Sequence, residues 1–236
     1  YKAAEMTAKY HLLVDFHGSY KPTGLNRTYP NVINFEGVHG LEQQKFADSS
    51  IDQVTYDVTI PFIRQLAGPM DYTQGAMRNA TKENFSPVYS EPMSQGTRCR
   101  QLAQYVVFES PLNMLCDSPS NYMEEEECTK YIAAVPTVWD TTISLAGEIG
   151  KYVAIARKSG EDWYVGAMTN WDSRTIEIDF SFLKEGVYEV DIFEDGMNAH
   201  RVAKDYKRRI VEIRSGEKRT FRLAPGGGCA MHIRNK

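Results

Sequence analysis

His11–Gly37 reads HLLVDFHGSYKPTGLNRTYPNVINFEG, two short apolar runs on either side of a turn-rich loop. The first run, HLLVDFHG, is almost continuously apolar and is bounded by Gly18, the pattern of a strand covered on both faces. The second, VINFEG, is another short strand and closes on Glu36. Working outward, TIPFIRQLAG reads as a helix with Gly68 as its stop, PMDYTQG as a third strand, and GTRCRQLAQYVVFE as a helix. PLNMLCD then reads as a fourth strand and NYMEEEECTKYIAAV as a closing helix. The acidic run Glu124 to Glu127 suits a first helical turn, where negative charge meets the dipole favourably. Such alternation predicts repeated strand-helix units and hence a parallel sheet or barrel. Every predicted strand ends in polar or ionisable residues: Asp15 and His17, Glu36, Asp71, Asp117. In a parallel barrel the carboxyl ends of the strands form the active face. Four units are visible and a closed barrel needs eight, so the expectation is half of an α/β barrel of the TIM type.

Beyond about Gly147 the texture changes. KYVAIARKSGEDWYVGAMTN, TIEIDFSFLKEGVYEVDIFEDG, RRIVEI and KRTFRLAPGGGCAMHIR are period-two runs separated by turn signals, which predict an antiparallel β-sandwich. The expected boundary falls near residues 138–148, giving units 1–140 and 141–236. At 236 residues, 42% hydrophobic and 25% charged, the composition is globular. A net charge of −4 gives no electrostatic reason to expect nucleic acid. No apolar run approaches the ~18 residues of a membrane span. The chain opens on YKAAEMTAKYH, a helix already under way with no capping residue ahead of it, so a fragment or processed piece is expected. Cys99, Cys116, Cys128 and Cys229 lack metal or scaffold spacing and are expected to be buried thiols with at most one bridge.

Glu36 and Glu42 flank a loop carrying His39 and two glycines. Two such carboxylates suit a hard cation or acid-base work at a glycosidic oxygen, and equally a solvated surface. His17 precedes a glycine at the rim of the same face, where it can meet a ligand or serve as a structural histidine. Lys21 and Arg27 can bind hydroxyls or an anion, or simply keep their loop soluble. Asp71 can accept sugar hydroxyls or cap a turn. The nucleophile elbow, zinc motifs, phosphate-binding loop and dinucleotide fingerprint are all absent, which leaves carbohydrate chemistry.

The long run LLVDFHGSYKPTGLNRTYPNVINFEGVHGLE, followed by LAGPMDYTQGAM, FESPLNMLCDSPSNY and VPTVWDTT, resembles glycoside hydrolase family 97 over the whole first unit. In the second unit the resemblance rests on element order and sheet texture. It implies a β-sandwich, a central (β/α)8 barrel and a C-terminal antiparallel β domain, of which this chain would hold strands five to eight and the last domain. It also implies active-site calcium held by glutamates, α-linked oligosaccharide as substrate, the N-terminal remainder of the same protein as partner, and export to the periplasm. Position by position, Glu42 matches the family's catalytic acid, which also touches the calcium; Glu36 matches a calcium ligand and His17 a sugar-contacting histidine. Lys21 and Asp71 remain candidate substrate-binding residues.

In the inverting members the residue after that histidine is a glutamate, whereas here it is Gly18. The chain therefore resembles the retaining branch, whose known members favour α-galactosides. There an aspartate on strand four attacks the anomeric carbon, and that aspartate is expected just upstream of Tyr1. The alternatives are an inverting α-glucosidase and a non-catalytic carbohydrate-binding or structural fragment.

Overall fold

The computed structural model describes residues 1–48 and 50–236. Helix α1 (Lys2–Lys9) leads into strand β1 (Val14–Phe16), and after the single turn α2 (Leu25–Thr28) the chain enters β2 (Val32–Phe35). The two strands pair in parallel, Val14 opposite Val32 and Phe16 opposite Phe35. Ala4, Leu25, Val32 and Phe35 pack into a small cluster that holds both helices to β2. The first strand is shorter than expected and is not covered on both faces. β1 is half-buried throughout, and Leu12 and Leu13 ahead of it are 54% and 70% exposed.

Three further expectations need correction. TIPFIRQLAG forms two separate 3-10 turns, Ile60–Phe62 and Arg64–Ala67, not one helix. Pro61 and the β-branched Thr59, Ile60 and Ile63 are weak helix formers, although Gly68 does stop the segment at φ 127°. PMDYTQG is not a ladder strand. Asp71 N donates to Phe35 O and Met70 N to Glu109 O, so the segment runs beside β2, but Pro69 has no N–H to give and Thr73 leaves the pleat at φ 63°. PLNMLCD is irregular too, because the Asp117 carboxylate is used to turn the chain: it accepts from Met77 N, Ser118 N and Asn121 Nδ2.

The remaining helices follow the sequence more closely. α3 (Gln53–Asp57) is N-capped by Asp52, and the two-residue strands β3 (Asn79–Ala80) and β4 (Ser94–Gln95) pair in parallel. α4 (Arg98–Val107), N-capped by Thr97, is buried along its whole length. The closing helix is divided at Glu125 into α5 (Pro119–Glu124) and α6 (Glu126–Ala134), because the Glu125 carboxylate turns inward to pair with buried Arg98 at 2.7 Å. Of the run Glu124 to Glu127 expected in one first turn, Glu126 and Glu127 occupy the first turn of α6, whereas Glu124 ends α5.

From Thr141 onward the chain is antiparallel sheet. The strands are β5 (Thr141–Glu148), β6 (Tyr152–Ser159), β7 (Asp162–Thr169), β8 (Arg174–Asp179), β9 (Val187–Asp195), β10 (Tyr206–Arg214), β11 (Lys218–Leu223) and β12 (Gly228–Asn235). Six of them form one sheet in the order β10-β9-β12-β7-β6-β5, and β8 pairs with β11 in a second layer of only two strands. Alternation assigns the faces. Trp163, Val165 and Ala167 of β7 face Ile176, Ile178, Phe221 and Leu223 of the small layer, while Tyr164 and Met168 face α4. A Cβ on Gly166 would lie 2.6 Å from Ala103 O, so only glycine lets α4 rest this close to the sheet. The larger apolar cluster accordingly joins Leu41, Tyr72 and Leu102 to Val153, Phe193 and Ala230 across residue 140.

Candidate active site

His17 stands just past the carboxyl end of β1 and Glu36 just past that of β2, because the parallel pairing brings both ends to one edge. Glu36 N donates to Phe16 O, and Glu36 Oε2 accepts from Gly18 N at 2.6 Å. A Cβ on Gly37 would fall 2.2 Å from Lys21 N, so glycine is required where the two loops touch. Glu42 is carried on a 3-10 turn, Leu41–Phe46, and Asp71 on the extended segment beside β2.

The four side chains converge on the imidazole. His17 Nε2 lies 2.7 Å from Glu42 Oε1 and 3.8 Å from Glu36 Oε1, and Nδ1 lies 2.8 Å from Asp71 Oδ2. Three carboxylates around one ring favour its cationic form. The hydrogen bond to Asp71, aided by that to Glu42 and by the charge of Glu36, lifts the His17 pKa to about 9 against its partial burial. Behind it, burial and then the Asp71 charge raise Asp15 to about 6, although Asn34 Nδ2 donates to it. Among the described residues, Asp15 Oδ1 and Asp71 Oδ1 are buried without a hydrogen-bond partner.

Glu36, Glu42 and His17 each offer one ligand atom within 4.8 Å of the others. The carboxylates fit a hard divalent cation: Glu36 is 7% exposed and held at Oε2, which leaves Oε1 turned into the cluster. Oxygen, not imidazole nitrogen, is the donor such a cation takes, so Glu36 and Glu42 would hold it and His17 would stay beside them. A cleft of about 60 Å3 opens next to Glu42, lined by Leu41, Lys45, Met93, Cys116 and Asp117 among others. All four cysteines are free, and burial pushes the Cys116 thiol up to about 12, which rules out a thiolate at the cleft at neutral pH.

The remaining candidates are exposed or tied to partners of their own. Lys21 lies on the same loop with its side chain exposed, and Arg27 is exposed on α2. His39 is tied back to Gln53, ring to Gln53 Oε1 at 3.0 Å and carbonyl to Gln53 Nε2 at 2.9 Å. Asp71 serves His17 at Oδ2, and Asp117 caps its turn. Sequence reasoning missed the residues that hold this arrangement: Gln53, Asp57, Thr73 and Arg100. A signal existed for two of them, since Gln53 and Asp57 are four apart on α3 and share one helix face.

Residues 1–38 match the profile described as "Glycoside hydrolase 97", and residues 138–234 match "Glycosyl-hydrolase 97 C-terminal, oligomerisation". A retaining α-galactosidase of Bacteroides thetaiotaomicron is 62% identical over 99% of this chain, which spans 35% of that protein. A probable retaining α-galactosidase of Streptomyces bingchenggensis is 33% identical over 95% of the chain, or 32% of its own length. A glycoside hydrolase family 97 enzyme variant from Pseudoalteromonas, solved in complex with panose, superposes with a TM-score of 0.90 at 34% identity, covering 99% of this chain and 36% of that one. The chain thus spans about a third of the length of the relatives it matches. With the family's profiles at both ends and relatives aligned along nearly all of it, the chain belongs to glycoside hydrolase family 97.

Proposed function

We propose that this chain is part of a calcium-dependent retaining α-galactosidase that cleaves terminal α-linked sugars by double displacement, with Glu42 as acid/base. The observation that carries the reading is the convergence of Glu42, Glu36 and Asp71 on His17 at the carboxyl ends of a parallel strand pair. Residues 1–140 would then furnish strands five to eight of a (β/α)8 barrel, with the first half supplied by preceding sequence. Export to the periplasm belongs to the same reading.

In this scheme Glu42 donates its proton to the departing glycosidic oxygen while an aspartate of the preceding barrel strand attacks the anomeric carbon. Glu42 then removes a proton from the water that releases the sugar. It is 30% exposed at its side chain, open enough to exchange that proton with solvent. His17, braced by Asp71 at Nδ1, would turn its Nε2–H to the sugar once the protonated Glu42 faces the leaving-group oxygen. Glu36 and Glu42 would hold calcium, which supplies a fixed positive charge that tunes the neighbouring carboxyl and substrate oxygens. Gly18 supports retention: its φ of 63° disfavours any side chain, and its N–H is committed to Glu36. The 62% identity to a retaining α-galactosidase supports galactose over glucose.

The test is proton NMR of the first sugar released from an aryl α-galactoside by the full-length protein. The α-anomer is expected first; initial β-anomer would overturn retention. Thermal unfolding with and without calcium checks the metal, a rise in Tm that Glu36→Gln abolishes being the expected result.

A further inference from the structure

The tripeptide Asp71-Tyr72-Thr73 touches both the His17 ring and the turn that carries Glu42. Asp71 holds the His17 ring, Tyr72 O accepts from Leu41 N at 2.9 Å, and Thr73 Oγ1 accepts from Glu42 N at 3.3 Å. Thr73 does so at φ 63°, a conformation that a β-branched residue adopts only when its surroundings impose it. Gly40 packs against the same carbonyl, where a Cβ would come 2.9 Å from Tyr72 O.

What imposes the conformation lies on the opposite side of the tripeptide. The Tyr72 ring points away from the site into the core, and its hydroxyl donates to Asp57 Oδ1 while accepting from Gln53 Nε2 at 2.8 Å. Asp57, 1% exposed, also accepts from Arg100 Nη2 at 3.2 Å and Gln104 Nε2 at 2.8 Å, so the buried carboxylate is fully satisfied. Arg100 passes the restraint on, donating to Val54 O and to Thr169 O, the last residue of β7 in the large sheet. Gln53 reaches the Glu36–Glu42 loop by a second route, through both His39 contacts. Arg100 Nε and Gln104 Oε1 are left without a partner, but every contact to Asp57, Tyr72 and Gln53 is made, and networks of this kind specify one geometry.

We infer that Tyr72, anchored by Asp57 and Arg100 to the sheet, is a positioning residue that sets where the Glu42 carboxyl meets the leaving-group oxygen. The inference rests on Glu42 being the acid. A misplacement of about 1 Å costs on the order of 100-fold in rate, and the loss must follow the need for a proton. Leaving groups that depart readily as anions need little acid assistance, whereas sugar alcohols need it fully.

The experiment compares Tyr72→Phe, Thr73→Val and Glu42→Gln in the full-length protein. Each is assayed on a dinitrophenyl α-galactoside and on an α-galactosyl disaccharide, with Tm recorded for each variant. Tyr72→Phe and Thr73→Val are expected to lose roughly 10- to 100-fold in kcat/KM on the disaccharide and less than about 3-fold in kcat/KM on the activated substrate, the ratio that reads the first step alone because Glu42 also serves the second. Equal losses on both substrates would overturn the positioning role and mark Tyr72 as structural only. If Glu42→Gln itself shows no leaving-group dependence, the acid assignment fails and the inference falls with it. If Glu42→Gln shows it and Tyr72→Phe and Thr73→Val do not, only the positioning role fails. Should Tyr72→Phe not fold, Thr73→Val, which leaves the buried anchor intact, separates the same two outcomes by its own leaving-group dependence.

Discussion

The two halves of this molecule are held together by different physics. Of the buried polar and charged side chains, all but Arg157, Thr169 and Asp191 lie before residue 140. The first half is short turns and strands fastened by side-chain hydrogen bonds; the second is long ladders closed over apolar faces. Polar networks are costly when incomplete but fix a geometry, whereas apolar burial stabilises without fixing positions finely. The contrast teaches a division of labour: the network half places reactive groups, and the sheet half supplies stability and a rigid wall behind them. Substitutions in the two halves should therefore separate activity from stability.

The largest effect is expected at Glu42. In the full-length protein, Glu42→Gln should lower kcat on an α-galactosyl disaccharide by roughly 100- to 10,000-fold, the usual range for a general acid. The isosteric amide still accepts from His17 and relieves crowding among three carboxylates. Stability should hold or rise, which thermal unfolding will show. A Tm that falls with the rate would mean that the site residues also hold the fold, and the division of labour would break down.

The converse substitution is Ile192→Ala on β9, a fully buried side chain between the two sheet layers. It should cost about 2–5 kcal/mol of stability, from lost burial plus the cavity left behind. Denaturant titration measures the loss, and kcat of the folded fraction below its transition should stay within about 2-fold. A smaller probe acts where the halves meet. In Gly166→Ala the new methyl would sit 2.6 Å from Ala103 O and 2.9 Å from Val106 Cβ, forcing α4 away from the sheet at about 1–3 kcal/mol. Because α4 carries Arg100, this variant should lose some activity as well as stability, unlike Ile192→Ala.

The same division explains how much the sequence revealed. Alternation made the sheet legible: YVAIARKS and DWYVGAMT show their period directly, and their ladders formed as β6 and β7. His17, Glu36 and Asp71 stood out as polar groups at the ends of apolar runs, and the structure brings them together with Glu42. PMDYTQG and PLNMLCD misled because their apolar content imitates strands, while their conformation is set by contacts with Asp57 and Gln101 in the first and between Asp117 and Met77 N in the second. Those partners lie far off in sequence and leave no local period. The burial of Arg98, Arg100 and Arg157 left no local signal for the same reason, since each is neutralised or hydrogen-bonded by a residue that no local window contains.

The last expected effect lies at the seam itself and is read as a slope against pH. Asp195, at the end of β9, accepts from Thr97 Oγ1 at the head of α4 and from the backbone N–H groups of Ala224 and Gly228. Burial outweighs those hydrogen bonds and raises its carboxyl to about 7. In the unfolded chain it would titrate near 4. Between about pH 4 and 7 the folded state therefore holds a proton that the unfolded state has released. Stability from this group must fall as pH rises through that window, by at most about 1.4 kcal/mol per pH unit for one proton. Asp195→Asn cannot titrate. Its amide oxygen can take the place of Oδ2 and accept from both backbone N–H groups while Nδ2 donates to Thr97 Oγ1, so its stability should stay near the parent's at low pH and its pH dependence should be flatter by this one group's share. Unfolding midpoints measured every half unit from pH 4.5 to 7.5 read the difference in slope. Parallel curves would mean that Asp195 is ionised throughout, and that the seam is held by charge and hydrogen bonds like the network half, not by burial like the sheet.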